Sequence, residues 1–406
     1  MLKTSLNVKS SQLVVNVLKL VLEQGKPLDR GYSISFSGVK LKPEEQARIT
    51  QVVGDLMRRL NLYCYLANIQ LQDAAKNAEL LIVLWHEFNG LNSGKLPKAS
   101  QFKRSEYQHL LTKAKKDEVL WDGCPEWLEK IGTEQLGKAW QAERKALLQP
   151  AKRYLRANQL KTTRDELKKS LSKEGIETRV VKGVDSALEV TSNSPLFKSK
   201  AFKAGLFEQQ DAGSQLVAGA VDAKPGMRVV DACAGAGGKT LHLAGQMQGK
   251  GRLLAMDVEQ WKLDALKDRA KRAGAHNVET RIIASSKTIK RLKLTADRVL
   301  LDVPCSGLGV LKRNPDSKWR DTSERLPVLV KLQEDILQSY SRMVKVGGML
   351  VYATCSIMPE ENRQQVDKFL ANNPHFTFIE DENITPANTG FDGFYLAKME
   401  RISEGA

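Results

Sequence analysis

Two cysteines of this 406-residue chain stand where an open α/β sheet usually carries its chemistry. Cys305 follows Pro304 in "LLDVPCSGLGV", and Cys355 sits fifty residues later in "VYATCSIMPEEN"; each closes an apolar, strand-like run and precedes a turn. A thiolate adds readily to an electron-poor carbon. A second thiol beside it can move the proton that lets the first one leave. One cysteine therefore explains attack and the other release. Either alone is more often a small buried hydrophobe, so the reading depends on what surrounds the pair.

The elements that must position these residues follow from periodicity. After Phe207 the spacing predicts strands at "MRVVDAC", "GRLLAMD", "VETRIIAS", "ADRVLLDVPC", "MLVYATCS" and "GFYLAKME". Helices are expected between them at "KTLHLAGQM", "EQWKLDALKDRAKRAG", "RLPVLVKLQEDILQSYSRMVKVGG" and "PEENRQQVDKFLANN". Repeated βα units of this kind close into a mostly parallel, doubly wound sheet with helices on both faces. Upstream, from about Gln149, "RYLRANQLK", "IETRVV" and "ALEVT" read as strands and "TTRDELKKSLSKEG" as a helix, giving a small α/β module. Residues 1–148 read as helical. In "KPEEQARITQVVGDLMRRLNLYCYLANI", Ile49, Val52, Val53, Leu56 and Leu60 fall on one face, and Pro43, Glu44 and Glu45 suit a helix's first turn. The stretch "NGLNSGKLPKASQFKRSEYQHLLTKAKKDE" loses that pattern and is expected to include a loop before helices resume near "CPEWLEKIG". The expected domains are 1–148, 149–206 and 207–406.

In "VVDACAGAGGKT" the first strand of the sheet runs through Cys233 and Ala234 into Gly235, Ala236, Gly237 and Gly238 and then into a helix. The free amides of such a turn suit a polar or anionic ligand. A triphosphate-binding loop needs glycine at the position of Cys233, and a dinucleotide fingerprint needs it at Thr240, so both fail. Asp257, closing the second strand, is placed to accept hydrogen bonds from ribose hydroxyls. A ribose-bearing cofactor that is not a dinucleotide, such as S-adenosylmethionine, fits the pattern. With a methyl sulfonium in the site, the two thiols acquire a task. Cytosine C5 is a poor nucleophile, but thiolate addition at C6 turns C5 into an enamine-like carbon able to take a methyl group, after which a base must remove the C5 proton.

Composition bounds the partners. The formal charge is +16, from 63 basic and 47 acidic residues, which favours a polyanion and nucleic acid first. Residues 151–205 alone carry 13 Lys or Arg against 6 Asp or Glu, a plausible phosphate-contacting surface. Five cysteines without regular spacing argue against a disulfide framework and for reduced thiols in a cytosol. The N-terminal "LVVNVLKLVLEQG" is interrupted by Lys19 and Glu23 and reads as an amphipathic helix, not a signal peptide. No stretch is long enough to span a bilayer. The five histidines lack metal-ligand spacing, which excludes metal-dependent hydrolysis.

Four motifs, "DACAGAGGKT", "DVPCSGLGVLKRNPDSKW", "YATCSIMPEEN" and "GFDGFYLAKME", resemble successive motifs of the Sun-type (Nop2/Sun) RNA (cytosine-5) methyltransferase family, in its bacterial ribosomal RNA branch. The upstream runs "EWLEKIG", "LRANQLKTTRDELKKSLSKEGI" and "FEQQDAGSQLVA" resemble that family's linker, so the resemblance covers about residues 124–406; Val14 to Ala67 more weakly resembles a NusB-like helical domain. The implied architecture is α/β: a doubly wound, Rossmann-like S-adenosylmethionine-dependent methyltransferase domain, preceded by a small α/β module and an N-terminal all-α NusB-like domain. The resemblance implies Cys355 as nucleophile and Cys305 as the helper in product release, with Asp302 and Lys239 beside the target base and cofactor. It implies a cofactor site built from Cys233, Ala234, Gly235, Ala236, Gly237, Gly238, Lys239, Asp257 and Asp302. Arg313, Pro315, Asp316 and Lys318 would shape the RNA side of the pocket. The implied partner is RNA, small-subunit ribosomal RNA first, for a monomeric cytoplasmic enzyme without metal.

The sequence departs from the family at two places in the cofactor site. Gly235-Ala236-Gly237-Gly238 replaces the usual Ala-Pro-Gly-Gly, which changes loop stiffness more than chemistry. The third strand ends in Ile283-Ala284-Ser285-Ser286 where the family has an aspartate, leaving the Ser285 hydroxyl as the substitute acceptor. Two rivals remain. DNA cytosine-5 enzymes attack with the Pro-Cys cysteine and use a Glu-Asn-Val motif, which is absent here. A catalytically silent RNA-binding assembly factor would retain the fold without needing both cysteines, Asp302 and Lys239.

Overall fold

The computed structural model describes residues 5–405. The chain divides into two compact units, Met1–Pro150 with Leu311–Asp321, and Ala151–Val310 with Thr322–Ala406. Among the described residues, no helix is long and apolar enough to cross a membrane.

The first unit is helical. Its core packs Val8–Leu22 against Pro43–Arg58 and Ala78–Phe88, and Leu60–Ala67 against the last of these. Ile49, Val52, Val53, Leu56 and Leu60 are all fully buried, as their spacing requires. The single helix expected across them is two. Arg59 leaves helical geometry at φ −131°, ψ 36°, and Gly123 seats its backbone directly against that residue, where any Cβ would collide with Arg59 Cα. The stretch expected to contain a loop also carries a helix at Arg104–Ala114.

The segment Leu311–Asp321 is built into this helical unit. Lys318 Nζ donates to the carbonyls of Arg58 at 2.8 Å and Gly123 at 3.0 Å, Trp319 Nε1 donates to that of Met57 at 2.6 Å, and Trp127 Nε1 donates to that of Lys318 at 3.1 Å. Lys318 and Asp316, expected to shape the RNA side of the pocket, are each only 4% exposed. A buried ammonium needs acceptors, and Lys318 finds them in backbone; burial lowers its pKa to about 8. Pro315 is buried beside them, whereas Arg313 stays partly exposed.

The second unit holds two sheets. Strands β1 (Arg153–Ala157), β2 (Thr178–Val180), β3 (Ala187–Val190) and β4 (Phe207–Gln209) form an antiparallel sheet in the order β2-β3-β1-β4. Its helix, Arg164–Lys173, starts on a capping box in which Thr163 and Glu166 exchange hydrogen bonds. The fourth strand lies beyond residue 206, so the small sheet draws on chain assigned by sequence to the next domain.

The large sheet comprises β5 (Arg228–Asp231), β6 (Arg252–Asp257), β7 (Val278–Ile282), β8 (Ala296–Asp302), β9 (Val344–Thr354), β10 (Phe376–Ile384) and β11 (Phe394–Arg401), in the order β10-β11-β9-β8-β5-β6-β7. Strands β9, β8, β5, β6 and β7 are parallel, and β11 runs antiparallel to both β9 and β10. Apolar clusters cover both faces, one around Leu243, Leu253 and Leu266, the other around Val299, Leu301 and Tyr352. The order reverses between β5 and β8, which opens a crevice at their carboxyl ends, where doubly wound sheets bind ligands. Asp231 and Asp302 end those two strands.

Candidate active site

The loop after β5 is shaped for close approach by a ligand. Gly235 and Gly237 have φ of +53° and +87°, values that glycine adopts without steric cost. A Cβ on Gly235 or Gly238 would meet nothing within 4 Å, so the backbone there borders an open cradle, whereas one on Gly237 would run into Leu266. Asp257 grips the loop: Oδ2 accepts the Gly235 N–H at 2.9 Å, and Oδ1 accepts the Glu259 N–H at 2.9 Å. Each carboxylate oxygen has a further lone pair for a hydroxyl donor. The cradle, the free first-turn amides of helix Gly238–Gln246 and this acidic strand end fit a ribose-bearing, carboxylate-bearing cofactor such as S-adenosylmethionine.

The remaining residues expected there are less alike. Ala234 is buried and donates its N–H to Met256 at 2.9 Å, and the Ala236 carbonyl accepts Arg269 Nη1 at 2.5 Å. Cys233 packs against the apolar cluster, and burial pushes its thiol well above the ordinary range, which leaves it inert. Ser285 is exposed; it caps helix Ser286–Lys290 without a side-chain cap bond.

At the crevice itself, Lys239 Nζ and Asp302 Oδ2 pair at 2.7 Å, and the same ammonium lies 5.1 Å from the centre of the Phe394 ring. Burial works to lower the Lys239 pKa, but the Asp302 charge and hydrogen bond, with help from Cys355, outweigh it and hold the amine protonated. Behind the pair, the Asp231 carboxylate accepts the Thr240 hydroxyl at 2.7 Å, and burial raises its pKa to about 7.

Strand β9 ends at Thr354 and delivers Cys355 beside the Pro-Cys loop that follows β8. The two sulfurs lie 3.1 Å apart, and the Cys355 N–H donates to Cys305 Sγ at 3.3 Å. The hydrogen bond with Cys355, then burial, then the charges of Cys355 and Glu361 push the Cys305 thiol well above its ordinary pKa. Cys305 therefore keeps its proton.

The loop is held from below by a carboxylate that sequence reasoning passed over. Glu361 is fully buried; it accepts the Ser306 N–H at 2.8 Å, the Ser306 hydroxyl, and Gln333 Nε2 at 2.9 Å, while Gln333 also donates to the Pro304 carbonyl at 3.0 Å. Asn362 fixes the other side, accepting the Thr354 hydroxyl at 2.5 Å and donating to the Ser356 carbonyl at 3.0 Å. Both lie in the quoted run "SIMPEEN", where three polar residues after a proline were the available signal. Gly309 completes the frame. Its N–H donates to the Cys355 carbonyl at 3.0 Å, its carbonyl accepts the Gly393 N–H at 2.7 Å, and a side chain at 309 would strike both backbones.

The chain matches the family profile described as 16S rRNA methyltransferase RsmB/F over residues 218–400, and that of an RsmF/B-like methyltransferase ferredoxin-like domain over residues 124–196. It is 33% identical over 298 residues to a probable ribosomal RNA small subunit methyltransferase B of Synechocystis sp., a match spanning 68% of this chain and 66% of that relative, just short of two thirds of its length. Among solved structures, PH0851 superposes with a TM-score of 0.84 at 25% identity, covering 98% of this chain and 100% of that one. A methyltransferase homolog protein from Pyrococcus horikoshii gives 0.63 at 27% identity, over 70% of this chain and 98% of that one.

Proposed function

The chain belongs to the 16S rRNA methyltransferase RsmB/F family, and from that premise we propose that it transfers a methyl group from S-adenosylmethionine to C5 of a cytosine in small-subunit ribosomal RNA. The observation that carries this reading is the 3.1 Å approach of Cys305 and Cys355, beside a lysine–aspartate pair at the topological switch point.

In this mechanism Cys355 Sγ adds to C6, forming a C–S bond and leaving an enamine across C5. Asp302 hydrogen-bonds the polar edge of the base, which makes C6 more electrophilic, and Lys239 stabilises the negative charge that builds on the ring. When bound, S-adenosylmethionine supplies the electrophilic methyl group that C5 takes up. Cys305 then removes the C5 proton, the Cys355–C6 bond breaks, and the aromatic ring is restored with the thiolate returned to Cys355. Gly235 to Gly238 and Asp257 hold the cofactor, and Ser285 stands in for the absent third-strand aspartate. The reading also takes the protein as a monomer acting in the cytoplasm, consistent with its free cysteines. Among the described residues no cluster of three or more His, Cys, Asp or Glu is arranged to hold a metal, and no step uses one.

Incubation with unmodified small-subunit RNA and isotopically labelled cofactor, followed by bisulfite mapping, tests the reaction: label at a single cytosine is expected, and its absence with folded, cofactor-bound protein favours a silent assembly factor. Cofactor binding is tested by calorimetry. Asp257→Ala should weaken it by about 1 to 3 kcal/mol, because ribose hydroxyls lose their acceptor and the Gly235 amide loses its anchor.

RNA binding is expected to be mainly electrostatic, with the small α/β module among the contacts. Lys168 and Lys169 lie exposed on its helix. Reversing both charges should flatten the plot of log affinity against log salt by about one to two phosphate contacts. An unchanged slope would assign that face a purely structural role.

A further inference from the structure

Away from the crevice, the second unit contains a cavity of about 510 Å³ that shares no residue with the glycine loop, Asp257, Asp302 or either cysteine. Its walls are contributed by the loop before β3, helix Ala212–Ala220, helix Gly238–Gln246 and strands β10 and β11.

The polar groups facing it are unbalanced towards acceptors. Asp185, Glu380, Asp381 and Glu382 stand on the rim against one cation, Lys398, which is paired with Glu380 at 2.7 Å. Asp381 is committed to the Tyr395 hydroxyl at 2.8 Å and to Arg363. Among the described residues, Asp185 and Glu382 make no ion pair. In a chain with an excess of 16 positive charges, an acidic recess of this size is against the general run of the surface.

The floor gives a second, independent indication. His242 and Gln246, one turn apart on the same helix, both line the cavity. His242 is 7% exposed, its Nδ1 has no hydrogen-bond partner, and neither does Gln246 Oε1. Buried polar atoms are paired in nearly all native structures, so two orphans on one wall mark a place where a donor is missing. Burial, with the nearby Arg156 charge, keeps His242 neutral, which leaves one ring nitrogen able to accept. Leu216 and Leu396 supply apolar wall between the polar groups.

We propose that this cavity binds an alkylammonium group, its N–H donors meeting His242 and Gln246, its charge balanced by Asp185 and Glu382, and its methylene chain lying along Leu216 and Leu396. A carboxylate rim alone would attract any cation. The orphaned acceptors and apolar wall ask for a cation that carries both N–H donors and a hydrocarbon stem, which is the chemistry of a free polyamine or of a lysine side chain.

Calorimetry on the full chain at fixed ionic strength tests this with three probes. Spermidine represents a free polyamine, a short acetylated and amidated Lys-Ala-Lys peptide represents lysine side chains, and tetramethylammonium is a cation without N–H donors. One-site saturable binding of spermidine or the peptide is expected, and whichever binds tighter identifies the source. Tetramethylammonium should bind at least tenfold more weakly. The double variant Asp185→Asn, Glu382→Gln changes only exposed side chains, so it should fold and should weaken binding at least tenfold; His242→Leu, where folded, should do the same. No saturable heat from either ammonium probe overturns the proposal, as does binding that the double variant leaves unchanged or that tetramethylammonium matches.

Discussion

Incubated with substrate RNA and cofactor, the Cys305→Ala protein accumulates as a covalent complex with methylated RNA that survives denaturing electrophoresis, whereas Cys355→Ala gives no adduct and loses at least about 10³-fold in methyl transfer. The asymmetry follows from the way two thiols in contact share charge. Ionising one opposes ionisation of the other. Contact with Cys355 and burial keep the proton on Cys305, and the two sulfurs lie 3.1 Å apart, so Cys355 is the sulfur left to attack. Once Cys355 is bonded to C6 as a thioether it can carry no charge. The repulsion that held the proton on Cys305 disappears, and Cys305 becomes free to ionise and take the C5 proton. Attack therefore arms release. Removing Cys305 leaves the first half of the cycle intact and stops the second. An adduct in Cys355→Ala that vanished in Cys305→Ala would reverse the roles.

Glu361→Ala is expected to lower stability by about 3 to 5 kcal/mol, since the Ser306 amide and Gln333 lose their buried acceptor at about 1 to 3 kcal/mol each and a cavity is left behind. Urea unfolding measures it. Glu361→Gln should cost no more than about 1 kcal/mol. One amide oxygen can still accept from Ser306 N–H and Gln333, and the Ser306 hydroxyl, now bonded to Glu361, can turn to accept from the new NH₂. Activity should follow the same order, with slower resolution of the covalent adduct in Glu361→Ala at temperatures where it is folded, because the Cys305 loop loses its anchor. Equal behaviour of the two variants would show that the buried charge, not the acceptor geometry, holds the loop.

The catalytic sheet was legible because its central strands are buried on both faces and read as apolar runs, as in "RLLAMD" and "RVLLD". Strand β10 was not: Glu380, Asp381 and Glu382 are residue types that strands disfavour, tolerated here because β10 is an edge with one face open. The run "VKVGG" read as the tail of a helix, yet β9 starts at Val344. Gly347 takes φ +72°, the register with β8 slips there, and a Cβ on Gly348 would press on the Ala296 carbonyl. Only pairing with β8 reveals that need. Of the site, Cys305 and Cys355 could be singled out because each closes an apolar, strand-like run, whereas Lys239 and Asp302 were named from the resemblance of their motifs. Glu361 acts on Ser306, 55 residues away, and its run of polar residues after a proline does not say which loop it anchors; Asn362 reaches only to Thr354 and Ser356. Lys318 was placed from the resemblance alone, which says nothing of its burial, and its acceptors belong to residues 260 and 195 positions away.

That last separation bears on how the protein is made. The helical unit is discontinuous, since Leu311–Asp321 supplies donors to the carbonyls of Met57, Arg58 and Gly123. A nascent chain leaves the ribosome at about 5–20 residues per second, so roughly ten to thirty seconds pass between synthesis of the last N-terminal helix and arrival of the segment that completes it. During that interval the helices wait with those carbonyls served by water and the seat of Trp319 unfilled. The first domain translated is thus among the last to be finished, and it cannot be completed before the Pro-Cys loop, which precedes Leu311, has been synthesised.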